Sequence, residues 1–303
     1  MRLPGVSTCC LGLVLLTPLA SQSHEQSGSL EEILVTGRSQ LLAGEARSAS
    51  EGVVGQMELA IRPLLRPGDV MEAVPGLIVT QHSGSGKSNQ MFLRGFNLDH
   101  GTDFATWVDG MPVNMRTHGH GQGYTDINFL IPETIERLSY VKGPYHAELG
   151  DFSSAGGVRI DTLAQLPNRL SIGAGEDGYG RALAMGTLPF GEMTLSGALE
   201  RQVYDGPWRD IDEDVEKLNG LLRLGGGDAI SAWSATAMHY DNEWNSADQV
   251  PERAVAGGLI DEFGSMVSSE NRLYSVTTPT PALRRPSPTR AHADGRACRR
   301  SPP

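Results

Sequence analysis

The sequence predicts a small α+β domain followed by antiparallel transmembrane β-barrel strands, with the barrel incomplete in this chain. Three observations predict it. Residues 61–165 mix short β-prone apolar runs with short helical segments punctuated by Gly and Pro, the texture of an α+β globule. From about residue 168, apolar side chains recur at every second position, which is the period of a strand. The links between those later runs alternate between tight turns and long charged loops, the asymmetry of a transmembrane barrel with a short-turn end and a long-loop end.

In the first part, residues 67–74 read as a short helix with Asp69 in its first turn, stopped by Pro75-Gly76. Residues 77–80 and 90–94 read as strands. Residues 105–113 read as a hairpin, because Asp109-Gly110 supplies the positive φ angles of a type I′ turn. Residues 131–137, with Pro132 near the start, are expected as a short helix. Residues 138–141 and 156–161 read as further strands. In the later part, alternation runs through Leu170, Ile172 and Ala174, then Leu183 and Met185, then Met193, Leu195, Gly197 and Leu199. It continues more loosely over 218–224 and 230–240. The links 176–180, 189–191 and 225–228 are short, whereas 204–214 and 242–263 are long.

Composition narrows the function. A formal charge of −11 argues against nucleic acid as a partner, since phosphate binding needs a basic face. No run of 18 apolar residues exists, so no transmembrane helix is available, while alternating strands keep hydropathy low. Of the three cysteines, Cys9 and Cys10 fall in the leader and Cys298 in the tail, which excludes a disulfide framework or structural zinc site in the body. The leader, residues 1–23, reads as a secretory signal: Arg2, an apolar stretch over 9–19, then Ala20-Ser21-Gln22-Ser23 for cleavage. Residues 24–60 read as a flexible polar tract. It is interrupted by Glu31, Glu32, Ile33, Leu34, Val35, Thr36 and Gly37, a short β-prone run that reads as a free strand waiting for a partner edge. The domain boundaries expected are therefore 1–23, 24–60, 61–165, 166–272 and 273–303. The last segment holds six Arg and six Pro, so residues 1–272 carry −16. Prolines at that density are not expected to form sheet. Translation in a wrong frame from near Arg272 is the favoured expectation, with a disordered tail as the other.

Residues 64–162 resemble the plug domain of TonB-dependent outer-membrane receptors. The resemblance is carried by Val74-Pro75-Gly76-Leu77, Phe92-Leu93-Arg94-Gly95-Phe96 and Trp107-Val108-Asp109-Gly110-Met111-Pro112, in that order. Ile131-Pro132, Ile135-Glu136-Arg137-Leu138, Val141-Lys142-Gly143-Pro144, Leu149-Gly150 and Gly156-Gly157-Val158 complete it. Glu31 through Gly37 is similar to a TonB box. The resemblance implies an energy-coupled receptor of the bacterial outer membrane, not an enzyme and without a cofactor. Its partners would be lipid, the TonB C-terminal domain and a small-molecule or metal-chelate substrate, a ferric siderophore by default. Two departures stand out. The strand after Gly156-Gly157-Val158 runs Arg159-Ile160-Asp161-Thr162 where the family has an Asn-rich strand. About 135 residues also follow the plug, where roughly 22 strands of ~10 residues are needed to close such a barrel.

Arg94 and Glu136 are the charges expected in plug–barrel or intra-plug ion pairs. His118-Gly119-His120-Gly121-Gln122-Gly123-Tyr124 is a distinctive loop, and His82, Asn97, Asp99 and His100 fall in other loops expected at the same end. His82, Asn97, Asp99, His100, His118 and His120 are the candidate substrate contacts. Imidazole is a transition-metal ligand, although no metal site is firm and a Gly-rich loop with incidental histidines remains open. Rival readings are thinner. Ser83-Gly84-Ser85-Gly86-Lys87-Ser88 ends like a phosphate-binding loop, but Gln81 stands where its first glycine belongs. No Gly-x-Ser-x-Gly elbow points to a hydrolase. A non-transporting outer-membrane or secreted adhesin is the alternative of a different class.

Overall fold

The computed structural model describes residues 45–46, 48–82, 84–227, 232–247, 249–264, 272–277 and 282–284. The leader, Glu31 through Gly37 and most of the Pro/Arg-rich tail lie outside the described residues. Among the described residues no helix is long and apolar enough to cross a membrane, which does not bear on a β-barrel.

The N-terminal domain opens with β1 (Glu45–Ala46) and β2 (Glu51–Gly55), then a helical turn at Gln56–Ala60 and a 3₁₀ segment at Pro67–Ala73. The latter is closed at its start by Arg66 and Asp69 bonding each other's side chain and backbone. β3 (Leu77–Thr80), β4 (Gln90–Leu93) and β5 (Phe96–Asn97) form a three-stranded sheet. β6 (Phe104–Val108), β7 (Met111–Pro112), β8 (Ile135–Lys142) and β9 (Gly156–Thr162) join β1 and β2 in a six-stranded sheet, ordered β1-β2-β8-β9-β6-β7. β6 and β9 pair in parallel; the other pairs are antiparallel. Val70, Met71, Met91, Leu98, Phe104, Leu138 and Ile160 are buried in the core between the 3₁₀ segment and the two sheets. The hairpin at 108–111 forms as the sequence predicts, with Asp109 at φ 49° and Gly110 at φ 82°.

Three expectations need correction. Residues 131–137 do not form a helix: a 3₁₀ turn at Pro132–Thr134 leads directly into β8. A bulge between Ile135 and Arg137 inserts one extra residue. Ile131, ahead of the turn, and Ile135 and Leu138, on the strand either side of the bulge, therefore fall at helix-like spacing without a helix. The segment expected to be flexible up to residue 60 contributes β2, whose partner β8 lies more than 80 residues away, so no local pattern announces it. The tail does enter a sheet. β15 (Arg272–Thr277) and β16 (Ala282–Arg284) both pair with the outer edge of a preceding strand, and Pro279, Pro281 and Pro286 fall between or after the paired stretches.

That preceding strand belongs to an antiparallel meander of β10 (Arg169–Ala174), β11 (Gly180–Phe190), β12 (Met193–Tyr204), β13 (Val215–Gly227) and β14 (Ala232–Asn245). With β15 and β16 it makes a seven-stranded, unclosed sheet. Its two faces are the reverse of a soluble sandwich. On β13, Lys217, Asn219 and Arg223 are buried toward the N-terminal domain, while Leu218, Leu222 and Leu224 point away. On the same outward side, Ile172 is 81% exposed and Leu188, Phe190 and Leu199 are exposed too. The inner face mixes these polar groups with a buried cluster of Leu183, Met185, Ala198 and Leu221, and with an apolar outer face it fits a wall strand in a lipid-embedded barrel.

Candidate substrate site at the long-loop end

Three loops of the N-terminal domain, around residues 81–89, 97–103 and 115–126, converge at the end of the meander where the long links after β12 and β14 emerge. The convergence is built from backbone constraints. Asp99 takes a left-handed conformation (φ 51°), capped by its own N–H donating to Asn97 Oδ1 at 2.8 Å. Gly101 follows at φ 96°, and a Cβ there would stand 2.7 Å from the Thr125 side chain. The His100 carbonyl accepts the Thr125 N–H at 2.8 Å, which locks the 97–103 loop to the histidine-rich loop.

Four of the eight histidines meet there around Tyr124. The His100 ring lies 5.1 Å from that of His82 and 4.5 Å from that of His120. His118 stacks on Tyr124 at 3.9 Å and 11°, and its Nδ1 accepts the His120 N–H at 3.2 Å. His100 Nε2 and His120 Nε2 each stand 3.8 Å from Asp99 Oδ1. Burial pulls His100 down to about 4, with Asp99 opposing and Lys87 and His120 adding. Burial likewise lowers His82 and His118. All three are thus neutral imidazoles at neutral pH. The Tyr124 phenol, pushed up to about 12 by burial, stays protonated and accepts the Ser88 N–H at 3.0 Å. Beside His82 opens a cavity of about 310 Å³, lined also by Arg66, Gln81, Tyr204, Trp208 and Glu213. Glu213 ties the loop after β12 to this end: it accepts from Ser85 N and Oγ at 2.9 and 2.6 Å, and from Trp208 Nε1 at 2.8 Å.

A second set of polar groups braces the N-terminal domain against the inner face of the meander. Arg181 grips Glu133 with two bonds of 2.7 and 2.8 Å and donates to Glu200 at 2.6 Å. Lys217 Nζ stands 3.3 Å from Glu200, and Asn219 donates to Glu200 at 2.9 Å. Burial would raise the Glu133 carboxyl, but the Arg181 bonds and charge hold it below the usual range. Arg223 donates to Asp109 Oδ2 and Thr162 Oγ1, both at 2.6 Å, and to the Leu163 carbonyl. Asp109 also accepts from Thr162 N at 2.9 Å.

The structure therefore brings His82, Asp99, His100, His118 and His120 together. Asn97 sits beside them as a turn cap, also accepting from Gln90 at 3.2 Å. Arg94 and Glu136 are exposed, and neither makes an ion pair among the described residues; Arg94 donates to the Ala49 carbonyl at 3.2 Å. The backbone explains their motif instead. Arg94 (φ 53°) and Gly95 (φ 81°) turn the chain between β4 and β5. Gly143, at φ 110°, bends the chain into Pro144 after β8. Gly156 and Gly157 admit close backbone approach: Cβ atoms there would lie 2.0 Å from the Val141 oxygen and 2.6 Å from the Ala105 oxygen. Reading by periodicity missed Arg181, Glu200, Lys217 and Arg223. Their signal was present as charges at alternate positions of otherwise apolar strands, as in Lys217-Leu218-Asn219-Gly220-Leu221-Leu222-Arg223.

A family model described as TonB-dependent Receptor Plug Domain matches residues 45–158. Residues 45–158 are thus a plug domain of the TonB-dependent receptor kind. The plug, braced by Asp109 and Glu133, lies against the first wall strands of an unclosed barrel. The vitamin B12 transporter BtuB of Vibrio vulnificus is 29% identical over 194 residues, 61% of this chain and 30% of its own. The fold is shared with the ferric yersiniabactin uptake receptor FyuA of Yersinia pestis (TM-score 0.58, 19% identity, 78% of this chain and 38% of that one). It is shared as well with the copper transporter OprC (TM-score 0.54, 20% identity, 68% and 32%). These relatives are named as transporters and receptors, not enzymes. The plug chain spans about a third of their length.

Proposed function

We propose that this chain supplies the plug and first wall strands of a receptor for energy-coupled uptake of a scarce nutrient through the bacterial outer membrane. The leader 1–23 would export it. A ferric siderophore or other metal chelate is the substrate class this reading takes, bound at the long-loop end. The observation that carries it is the plug braced on the polar face of the wall by Asp109–Arg223 and Glu133–Arg181–Glu200, with the apolar face turned outward. A plug held by bonds made and broken against a wall is a device for converting a pull into an opening. Glu31 through Gly37 would deliver that pull by adding as a strand to the TonB C-terminal domain, where backbone hydrogen bonds give the grip. The names of relatives, for vitamin B12, ferric yersiniabactin and copper, accord with a small chelated substrate.

The test removes residues 31–37 from a receptor carrying this plug and a complete barrel, in cells that depend on it under metal limitation. Energised uptake is expected to vanish while substrate still binds at the cell surface. Uptake that persists overturns the TonB reading and leaves a non-transporting surface protein.

A further inference from the structure

We propose that Asp99, His100 and His120 directly ligate a divalent transition metal of the Cu(II), Ni(II), Zn(II) class, offered as the aqua ion or in a chelate with open coordination positions. The proposal deepens the uptake reading and rests on it for the metal's role as cargo, while its chemistry stands on the site itself. One ligand atom from each of the three residues lies within 4.8 Å of the other two, and both Nε2 atoms stand 3.8 Å from the same Asp99 oxygen. Metal–ligand bonds of about 2.0–2.2 Å put neighbouring ligand atoms roughly 3–4 Å apart, so the set closes on an ion with little movement. Two of the three side chains are free to make that movement: those of His120 and Asp99 are 38% and 51% exposed.

His100 needs none. It is 1% exposed, and its Nδ1 lies 3.3 Å from the Asn89 carbonyl. A carbonyl can only accept, so Nδ1 carries the hydrogen and Nε2 presents a bare lone pair into the cluster. That Nε2 is buried and has no hydrogen-bond partner among the described residues. A buried acceptor left unpaired is destabilising, and a metal ion is the partner that the neighbouring imidazole and carboxylate equip this one to take. The Asn89 carbonyl is the outer-shell group that commonly orients a metal-bound histidine. His118, stacked on Tyr124 and bonded to the His120 N–H, holds the second imidazole's backbone in place. Two nitrogens and one carboxylate oxygen suit borderline divalent ions better than magnesium or calcium. A ferric complex whose positions are all filled by its own chelator offers these nitrogens nothing to bind. The nearby Lys87 ammonium disfavours positive charge, so a metal that keeps some anionic ligands is the better electrostatic match.

The test titrates the metal-free 303-residue chain in detergent with CuCl₂ and, in a second arm, with Cu(II)–nitrilotriacetate, which leaves positions open. Copper EPR and competition by zinc are the readouts. The expected result is one tight site with hyperfine coupling to two nitrogens. His120→Ala, at an exposed position that does not threaten the fold, should lose one nitrogen and weaken binding about tenfold or more, since even outer-shell losses cost 10–100-fold. Asp99→Asn should weaken it as well, and His146→Ala, outside the cluster, should leave it unchanged. Binding in the first arm alone assigns the aqua ion as the source; binding in both admits the open chelate. Absence of binding in both arms, or an unchanged spectrum and affinity in His120→Ala, overturns the proposal. Neither result touches TonB-driven uptake, which stands or falls on the 31–37 deletion.

Discussion

Asp126 shows how one buried carboxyl sets a pH dependence. Its Oδ1 accepts the Asn128 N–H at 2.8 Å, in the turn that follows the histidine-rich loop. Burial nonetheless pushes it up from 3.8 to about 6, because desolvation outweighs those bonds and the Lys217 charge. A raised folded-state value means the folded chain binds a proton that the unfolded chain has already released. Its contribution is therefore fully present below about pH 4 and is lost as pH rises to about 6. Asp126→Asn keeps the accepting oxygen and removes the titration. The denaturant midpoint of the variant should match the parent at pH 4 and exceed it at pH 7.5, by on the order of 1–3 kcal/mol. Equal midpoints at pH 7.5 would show that the ionised carboxylate is solvated in the fold. The histidines were legible singly at this scale, since a His-Gly-His-Gly run is conspicuous in any sequence. Their gathering at one end was expected only through the family resemblance; the direct contact of His100 with His120 was not legible, because the Thr125–His100 backbone bond that sets it is a tertiary fact.

At the scale of elements, what was legible followed from local chemistry. The Asp109-Gly110 hairpin, strand β3 and the meander were readable because turn residues and period-two alternation act over a few positions. β2 was hidden because its main support is the distant β8, with only the two-residue β1 nearby, and the start of β8 was misread because its bulge shifts the period. The parallel pairing of β6 with β9 is another non-local feature, and the close antiparallel pairing of β8 with β9 depends on Gly156. That residue sits at φ 118°, and a Cβ would meet the Val141 oxygen at 2.0 Å, a backbone atom that cannot step aside alone. Gly156→Ala must therefore shift β8 from β9 at the centre of the plug sheet. A loss on the order of 3 kcal/mol or more is expected in equilibrium unfolding, whereas Gly95→Ala, with nothing within 4 Å, should cost only its left-handed strain of roughly 1 kcal/mol. Similar losses at the two positions would refute the close-approach account.

For the whole molecule, the uptake proposed above asks the plug both to stay and to move, and the inner face of the wall meets it with charged groups set beside the apolar cluster of Leu183, Met185 and Leu221. An apolar interface of the same area would hold as well and would not distinguish one plug position from another. Charged pairs do: Arg223 is satisfied only where Asp109, Thr162 and the 162–163 carbonyls all present oxygens. Such a pair adds little net stability against a hydrophobic replacement, yet losing one partner strands the other, at about 3–5 kcal/mol. This gives a signed prediction in three variants. Asp109→Ala leaves a buried guanidinium, 7% exposed, with only neutral partners in Thr162, Leu163 and Thr236, and should loosen the plug strongly. Arg223→Met leaves Asp109 its Thr162 bonds and should cost less. The double variant should recover most of the Asp109→Ala loss, because the uncompensated charge is gone. Protease release of the plug from the wall, read across the three variants, measures the coupling. Additive losses in the double variant would mean the pair does not act as a lock, and that plug position is set instead by the Glu133–Arg181–Glu200 cluster.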